Sequence, residues 1–308
     1  NKKNYLKNLE KLKMKNQILV SKNFFKKQKV FGKIKTMENF IKNPPNWNND
    51  EIIKELILFK DLYKNRPIKN NIHGMMLPHM FATYFILKKL KPKFVIESGV
   101  YKGQSTWLIE NTLPECKILS IDVDLGQREY ISKKAEYSNL DFKFHNFSKI
   151  PDETIVFFDD HVNHLERIQQ SKFFNIKNII LEDNYSSNKG DFYTIKHSYQ
   201  NTGFNHKYTT ASKVKTTYLF FIYMLKKIFI KNYYFPLNNI TSRIRDHKFN
   251  LNDFKNIENN IDIYFEFPPI IKSESYTKDP ILKSLNIDFG DAKDELKSYN
   301  YITYIKLK

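Results

Sequence analysis

The sequence predicts a doubly wound α/β domain: a mostly parallel, seven-stranded, Rossmann-like sheet with a helical extension before it and an insertion before its last two strands. Three observations carry this reading. Between residues 93 and 184, short apolar runs alternate with segments of helical period. That alternation means βαβ units, whose parallel sheet must be covered on both faces. Four of these runs end in acids, and two glycines follow the first of them, at the strand ends where such a fold binds ligands.

Taken in order, residues 1–48 are rich in lysine and asparagine. Leu6, Leu9 and Leu12 stand at helical spacing there, and the segment runs to Pro44-Pro45. It reads as one or two basic peripheral helices. "NDEIIKELILFKDLY" (49–63) has a cap at Asn49 or Asp50, acids in its first turn and apolar residues three and four apart, so it predicts a stronger helix. "MMLPHMFATYFILKKL" (75–90) predicts another. The runs "KFVIESGV", "CKILSIDVD", "LDFKFHNF", "ETIVFFDDH" and "IKNIILEDNY" predict five strands. "QSTWLIENTL", "GQREYISKKAEY" and "HLERIQQSKFF" predict the helices between them. After residue 200 the alternation breaks into a basic, aromatic insertion at about 203–258. "NIDIYFEFPPII" (260–271) and "YNYITYIKLK" (299–308) then read as two late strands, with a helix at "DAKDELKSY" between them. The expected division is a basic extension over 1–72 and the sheet domain over 73–308.

Composition bounds the function. The chain has 308 residues, 41% of them hydrophobic, enough for one sizeable core. Its formal charge is +18, which by itself suggests a polyanion partner. Lysine supplies nearly all of that charge, and Asn, Ile, Phe and Tyr are abundant with it, as an AT-rich coding sequence produces without selection for a partner. The single cysteine, Cys116, excludes an internal disulfide and fits a reducing compartment. No secretory signal is visible, so a cytoplasmic location is expected. The most apolar window, 216–230, is broken by Lys226 and Lys227 and is too short to span a bilayer, although it could lie on a membrane surface.

The chemistry gathers at the strand ends. The first run ends in Glu97, followed by Gly99 and Gly103; the second ends in Asp122; the fourth in Asp159, Asp160 and His161; the fifth in Glu182, Asp183 and Asn184. Glycines let the backbone approach a ligand closely, and a helix opening at Gln104-Ser105 offers free N–H groups. An acid about twenty residues on suits a ribose with both hydroxyls free. The Glu-x-Gly-x-x-x-Gly spacing lacks the three tight glycines of a dinucleotide pyrophosphate loop, which favours a nucleoside without phosphates.

These residues resemble the class I S-adenosylmethionine-dependent methyltransferases. "IESGVYKGQSTWLI" is similar to the first motif of the metal-dependent catechol O-methyltransferase-like branch. "VFFDDH" and "LEDNY" are similar to its two metal-ligand motifs. The cephalosporin-hydroxylase-like and macrolide sugar O-methyltransferases share a related layout. The resemblance covers roughly 73–200 and the last strands. It implies that Glu97, Gly99, Tyr101, Gly103 and Ser105 line the methionine part of the cofactor S-adenosyl-L-methionine, and that Asp122 holds the ribose. It implies that Asp160, Asp183 and Asn184 bind Mg²⁺ or another hard divalent cation.

Two departures from the family pattern follow. Where the catechol enzymes carry a general-base lysine, this chain has Asn163, leaving His164, and then His161, as candidate catalytic bases. No acid ends the expected third strand, so Asn146 and Ser148 are left for the adenine. The expected activity is metal-assisted O-methylation of a hydroxyl on a small molecule or sugar acceptor rather than a nucleic acid. The insertion would serve as a lid, a homodimer contact or a peripheral membrane contact. Two alternatives stay open: an enzyme for a polyanionic or membrane-associated acceptor, and a non-catalytic cofactor-binding protein.

Overall fold

Seven strands form one sheet: β1 (Phe94–Ser98), β2 (Lys117–Ile121), β3 (Ala135–Ser138), β4 (Thr154–Phe158), β5 (Asn178–Leu181), β6 (Ile261–Glu266) and β7 (Thr303–Leu307). Their order is β3-β2-β1-β4-β5-β7-β6, with β1 to β5 parallel and β7 antiparallel to both neighbours. This is the doubly wound, Rossmann-like sheet that the sequence predicts. The structure, a computed structural model, describes residues 42–204, 247–272, 279–283 and 287–308, all within the unit Glu38–Lys308. The basic segment 1–41 and the apolar window 216–230 lie outside the described residues. Among those described, no helix is long and apolar enough to cross a membrane.

Two cores follow from the period-two alternation of the strands. Val95, Ile155, Phe157 and Ile180 point to one face. There they meet α1 (Asn49–Lys64), α2 (Leu77–Leu90) and α3 (Gln104–Thr112). Ile96, Val156, Phe158 and Ile179 point to the other face, against α4 (His164–Phe173), α5 (Ile195–Tyr199) and α6 (Leu251–Glu258). Helix α1 buries the stripe Ile52, Leu56, Phe59 and Tyr63, while α2 is buried continuously from Leu77 to Leu87. The N-terminus of α2 lacks a local side-chain cap; instead the Glu295 carboxylate accepts from the Leu77 amide at 2.8 Å and from the Tyr63 hydroxyl at 2.5 Å.

The register positions the site. Ser98 is level with Ile121 and Phe158, and Phe158 with Leu181. The next residue of each strand, Gly99, Asp122, Asp159 and Glu182, therefore emerges in one row.

Two expectations are corrected. The helix expected over 126–137 is absent, because its backbone is committed elsewhere. Glu129 and Tyr130 donate to the Lys102 carbonyl, and the Ser132 hydroxyl accepts from Lys134 and Ala135. The third strand is consequently 135–138 rather than 140–147, where Phe142–Phe144 instead makes one 3₁₀ turn. The helix expected at "DAKDELKSY" is a 3₁₀ segment, Gly290–Lys297.

Candidate functional site

A cavity of roughly 200 Å³ opens at the carboxyl ends of β1, β2 and β4. Gly99, Tyr101 and Asp122 line it together with Asp141, Asp160, His161 and Arg167. Asp122 shapes the wall: its Oδ2 accepts from the amides of Val100 and Tyr101 at 2.8 and 3.0 Å, and its Oδ1 accepts from Asp124 at 2.9 Å. The Tyr101 hydroxyl donates to the Ile72 carbonyl and so fastens the glycine loop to the segment before α2. Tyr101, His161 and Asp183 all hold positive φ, at 47°, 54° and 53°, a strained conformation for residues with a Cβ.

Four of the residues expected to hold the cofactor lie away from this cavity. Glu97 is fully buried, where it accepts from Thr106 at 2.6 Å and Ser120 at 2.5 Å; it ties α3 to the sheet, and burial raises its pKa. Gly103 serves its own chain: it holds φ 92°, and the Tyr130 carbonyl stands where a Cβ would go. Ser105 is buried in the first turn of α3 beside a small recess with Asn71 and Gln104. Ser148 is exposed, and its amide bonds Asn146. The earlier β3 brings Asp141 to the cavity instead, supplying the acid that the sequence reading found missing.

The metal set also changes. Asn184 is saturated: its amide nitrogen donates to Tyr264, Glu266 and Thr303, and its oxygen accepts from the Lys196 amide. It has no atom left for a cation. Asp160 is engaged by Ser98 at 2.5 Å and Arg167 at 2.7 Å. Among the described residues the donors that converge are His79, Glu182 and Asp183, whose ligand atoms lie within 4.8 Å of one another. His79 Nε2 is 3.6 Å from Glu182 and 4.0 Å from Asp183. Asn300 braces the cluster by donating to His79 from its backbone and to Asp183 from its side chain, and the Tyr185 hydroxyl bonds the other Asp183 oxygen.

This donor set fits a divalent cation. Burial pushes His79 down to about 4 despite Asp183, so its ring is neutral and Nε2 keeps a lone pair. Its Nδ1 is buried without a partner. Burial and the neighbouring carboxylates raise Glu182, and burial pushes Asp159 up to about 8. Two acids held above their usual range are what a cation would relieve. One imidazole with two carboxylates suits Mn²⁺ better than Mg²⁺, which prefers oxygen.

The two candidate bases are also revised. His164 is 2% exposed, its Nδ1 accepts from the Ile195 amide, and burial pushes it down to about 3. It is a core histidine. His161 lines the cavity, with Nδ1 2.8 Å from Asp191. Burial opposes its charge, but Asp191, Asp159 and Asp183 outweigh that and carry it to about 9. The ring is a cation at neutral pH, hence a donor rather than a base.

No protein-family model matches the chain, and no curated protein does. Solved structures similar to it are methyltransferases. CmcI-N160 with SAH is 16% identical over 47% of this chain and 84% of its own, with a TM-score of 0.33. SAH-bound PaMTH1 of Podospora anserina is 9% identical over 86% and 91%, TM-score 0.36. The O-methyltransferase of Bacillus cereus in complex with SAH is 10% identical over 86% and 94%, TM-score 0.38. At such scores these likenesses carry no weight for function, which rests on the site's own geometry.

Proposed function

We propose that this chain is an S-adenosylmethionine-dependent O-methyltransferase, assisted by a divalent cation, whose acceptor is a hydroxyl of a small molecule or sugar. The observation that carries the reading is the position of Asp159, which lines the nucleoside-sized cavity and also hydrogen-bonds Glu182 of the His79 cluster. One residue thus joins a cofactor cavity to a cation site.

The charge of the cavity supports the ligand class. Asp122, Asp124, Asp141 and Asp160 line it against Arg167 and His161, a surplus of acid that repels phosphate and accepts a nucleoside bearing a sulfonium. Tyr101 and the Gly99 backbone would form the wall beside the methionine end, and Asp122 the wall beside the ribose.

His79, Glu182 and Asp183 would hold the cation. When bound, it supplies Lewis acidity that makes an acceptor hydroxyl easier to deprotonate. The protein's own part is to orient the acceptor and to take its proton. Asp159 suits that second task, because a carboxyl pushed to about 8 by burial holds an abstracted proton well near neutrality. His161, fixed through Asp191, donates to the acceptor from the opposite side of the same row. Methyl transfer is then a matter of in-line placement.

The test is an acceptor screen with S-adenosylmethionine and Mn²⁺ over catechols and free sugars, following methylated product. The proposal expects at least one methylated hydroxyl, with turnover lowered about 100-fold or more by Asp159→Asn while SAH affinity is kept. Methylation that proceeds unchanged in Asp159→Asn would remove Asp159 as the base.

A further inference from the structure

Arg167 is the largest side chain fully enclosed in the described protein, yet it forms part of the cavity wall. It rises from the first turn of α4. Its NH1 donates to Asp141 Oδ1 at 3.0 Å and to Gln170 at 2.7 Å. Its NH2 donates to Asp141 Oδ2 at 3.0 Å and reaches Asp160 Oδ2 at 2.7 Å. Asp160 Oδ2 also accepts from the Ser98 hydroxyl at 2.5 Å. The guanidinium lies 5.5 and 5.8 Å from the Phe158 and Phe142 rings. A single polar chain, Ser98, Asp160, Arg167, Asp141, therefore crosses the cavity from the end of β1, past β4, to the loop after β3, and all four members line it.

Salt bridges of this kind do not by themselves argue for stability, since burying three charges costs about as much as their attraction returns. Their use here is directional. A planar guanidinium that binds one carboxylate with two nitrogens fixes the plane of that carboxylate, which lysine cannot do. Burial alone would raise the Asp141 pKa, but Arg167 brings its carboxyl below the usual range, so Asp141 meets the cavity as a permanently ionised acceptor.

We infer that Arg167 is a positioning residue for the nucleoside: it orients Asp141 and Asp160 as fixed acceptors across the cavity and so determines affinity for an uncharged nucleoside moiety. This rests on the cofactor reading above. Arg167 also keeps Asp160 out of the cation site, dividing the strand-end acids between two ligands.

The experiment titrates SAH and adenosine into the full chain and into Arg167→Lys, Gln170→Leu and Asp141→Asn, with thermal unfolding recorded for each. Gln170 braces Arg167 from behind and does not line the cavity, so its substitution loosens the guanidinium without touching the ligand's own contacts. The inference expects Arg167→Lys to weaken SAH and adenosine by the same factor, roughly tenfold, because both share the nucleoside. Gln170→Leu should weaken both about threefold, and adding Arg167→Lys to Asp141→Asn should cost much less than it does alone. A role in folding alone would lower the unfolding midpoint without that coupling. Wild-type binding with unchanged affinity in a folded Arg167→Lys, or in Gln170→Leu if the former does not fold, overturns the inference. Absence of wild-type binding up to millimolar concentration overturns the cofactor reading instead.

Discussion

The backbone carbonyl of Asp159 occupies the space that a Cβ on Gly99 would need, and Gly99 holds φ 102°. The glycine after β1 is thus required by the neighbouring strand end, and only through that contact by a ligand. Gly99→Ala meets both a forbidden backbone region and a carbonyl that cannot move without shifting β4. It is expected to cost about 2–4 kcal/mol or to unfold the domain, measured by urea denaturation.

Asn184 is expected to act as a structural residue. Asn184→Ala strips the partners of Tyr264, Glu266 and Thr303 in one buried cluster and should cost about 2–4 kcal/mol. Its Mn²⁺ affinity, measured by calorimetry on the folded fraction, should change little. Asp183→Asn should lose that affinity.

The acids around His79 predict opposite effects with and without metal. In a chelator, Glu182→Gln removes a carboxyl that burial and Asp183 disfavour in its charged form, so the unfolding midpoint should hold or rise. With Mn²⁺ at about 100 times its dissociation constant, the wild type should gain about 2.7 kcal/mol and the variant almost nothing. Equal shifts in both proteins would place the cation elsewhere.

Stability should fall in mild acid through buried histidines. Burial pushes His197 from its ordinary 6.5 down to about 4, and His164 to about 3. Both are neutral in the folded state, while the unfolded chain takes up protons near 6.5. Their contribution is therefore complete above pH 6.5 and is lost as pH falls from there toward the folded values. The slope approaches about 1.4 kcal/mol per pH unit for each histidine. Urea unfolding at pH 7 and pH 5 measures it, and His197→Asn should flatten the dependence.

The sequence displayed the sheet and its polar ends because strand alternation and strand-end acids are local signals. Its errors share one cause, chain pairing that local pattern does not record. The segment around Tyr130 has helical composition, but the Lys102 carbonyl takes its amides, so β3 moved and Asp141 went unnoticed. His79 lies in an apolar helix more than 100 residues before Glu182 in sequence, and nothing in the spacing of histidines and acids connects them. A lone histidine after a proline in an otherwise apolar helix was the only available hint. Arg167 was hidden in the same way, as one charge in a polar helix whose partners arrive from two strands.

The most direct measurement is calorimetric titration of S-adenosylmethionine and SAH into the full chain, with Mn²⁺ and with a chelator. The account predicts micromolar binding of both, retained in the chelator because the nucleoside cavity and the cation cluster use different residues. No binding up to millimolar concentration in either condition would contradict it.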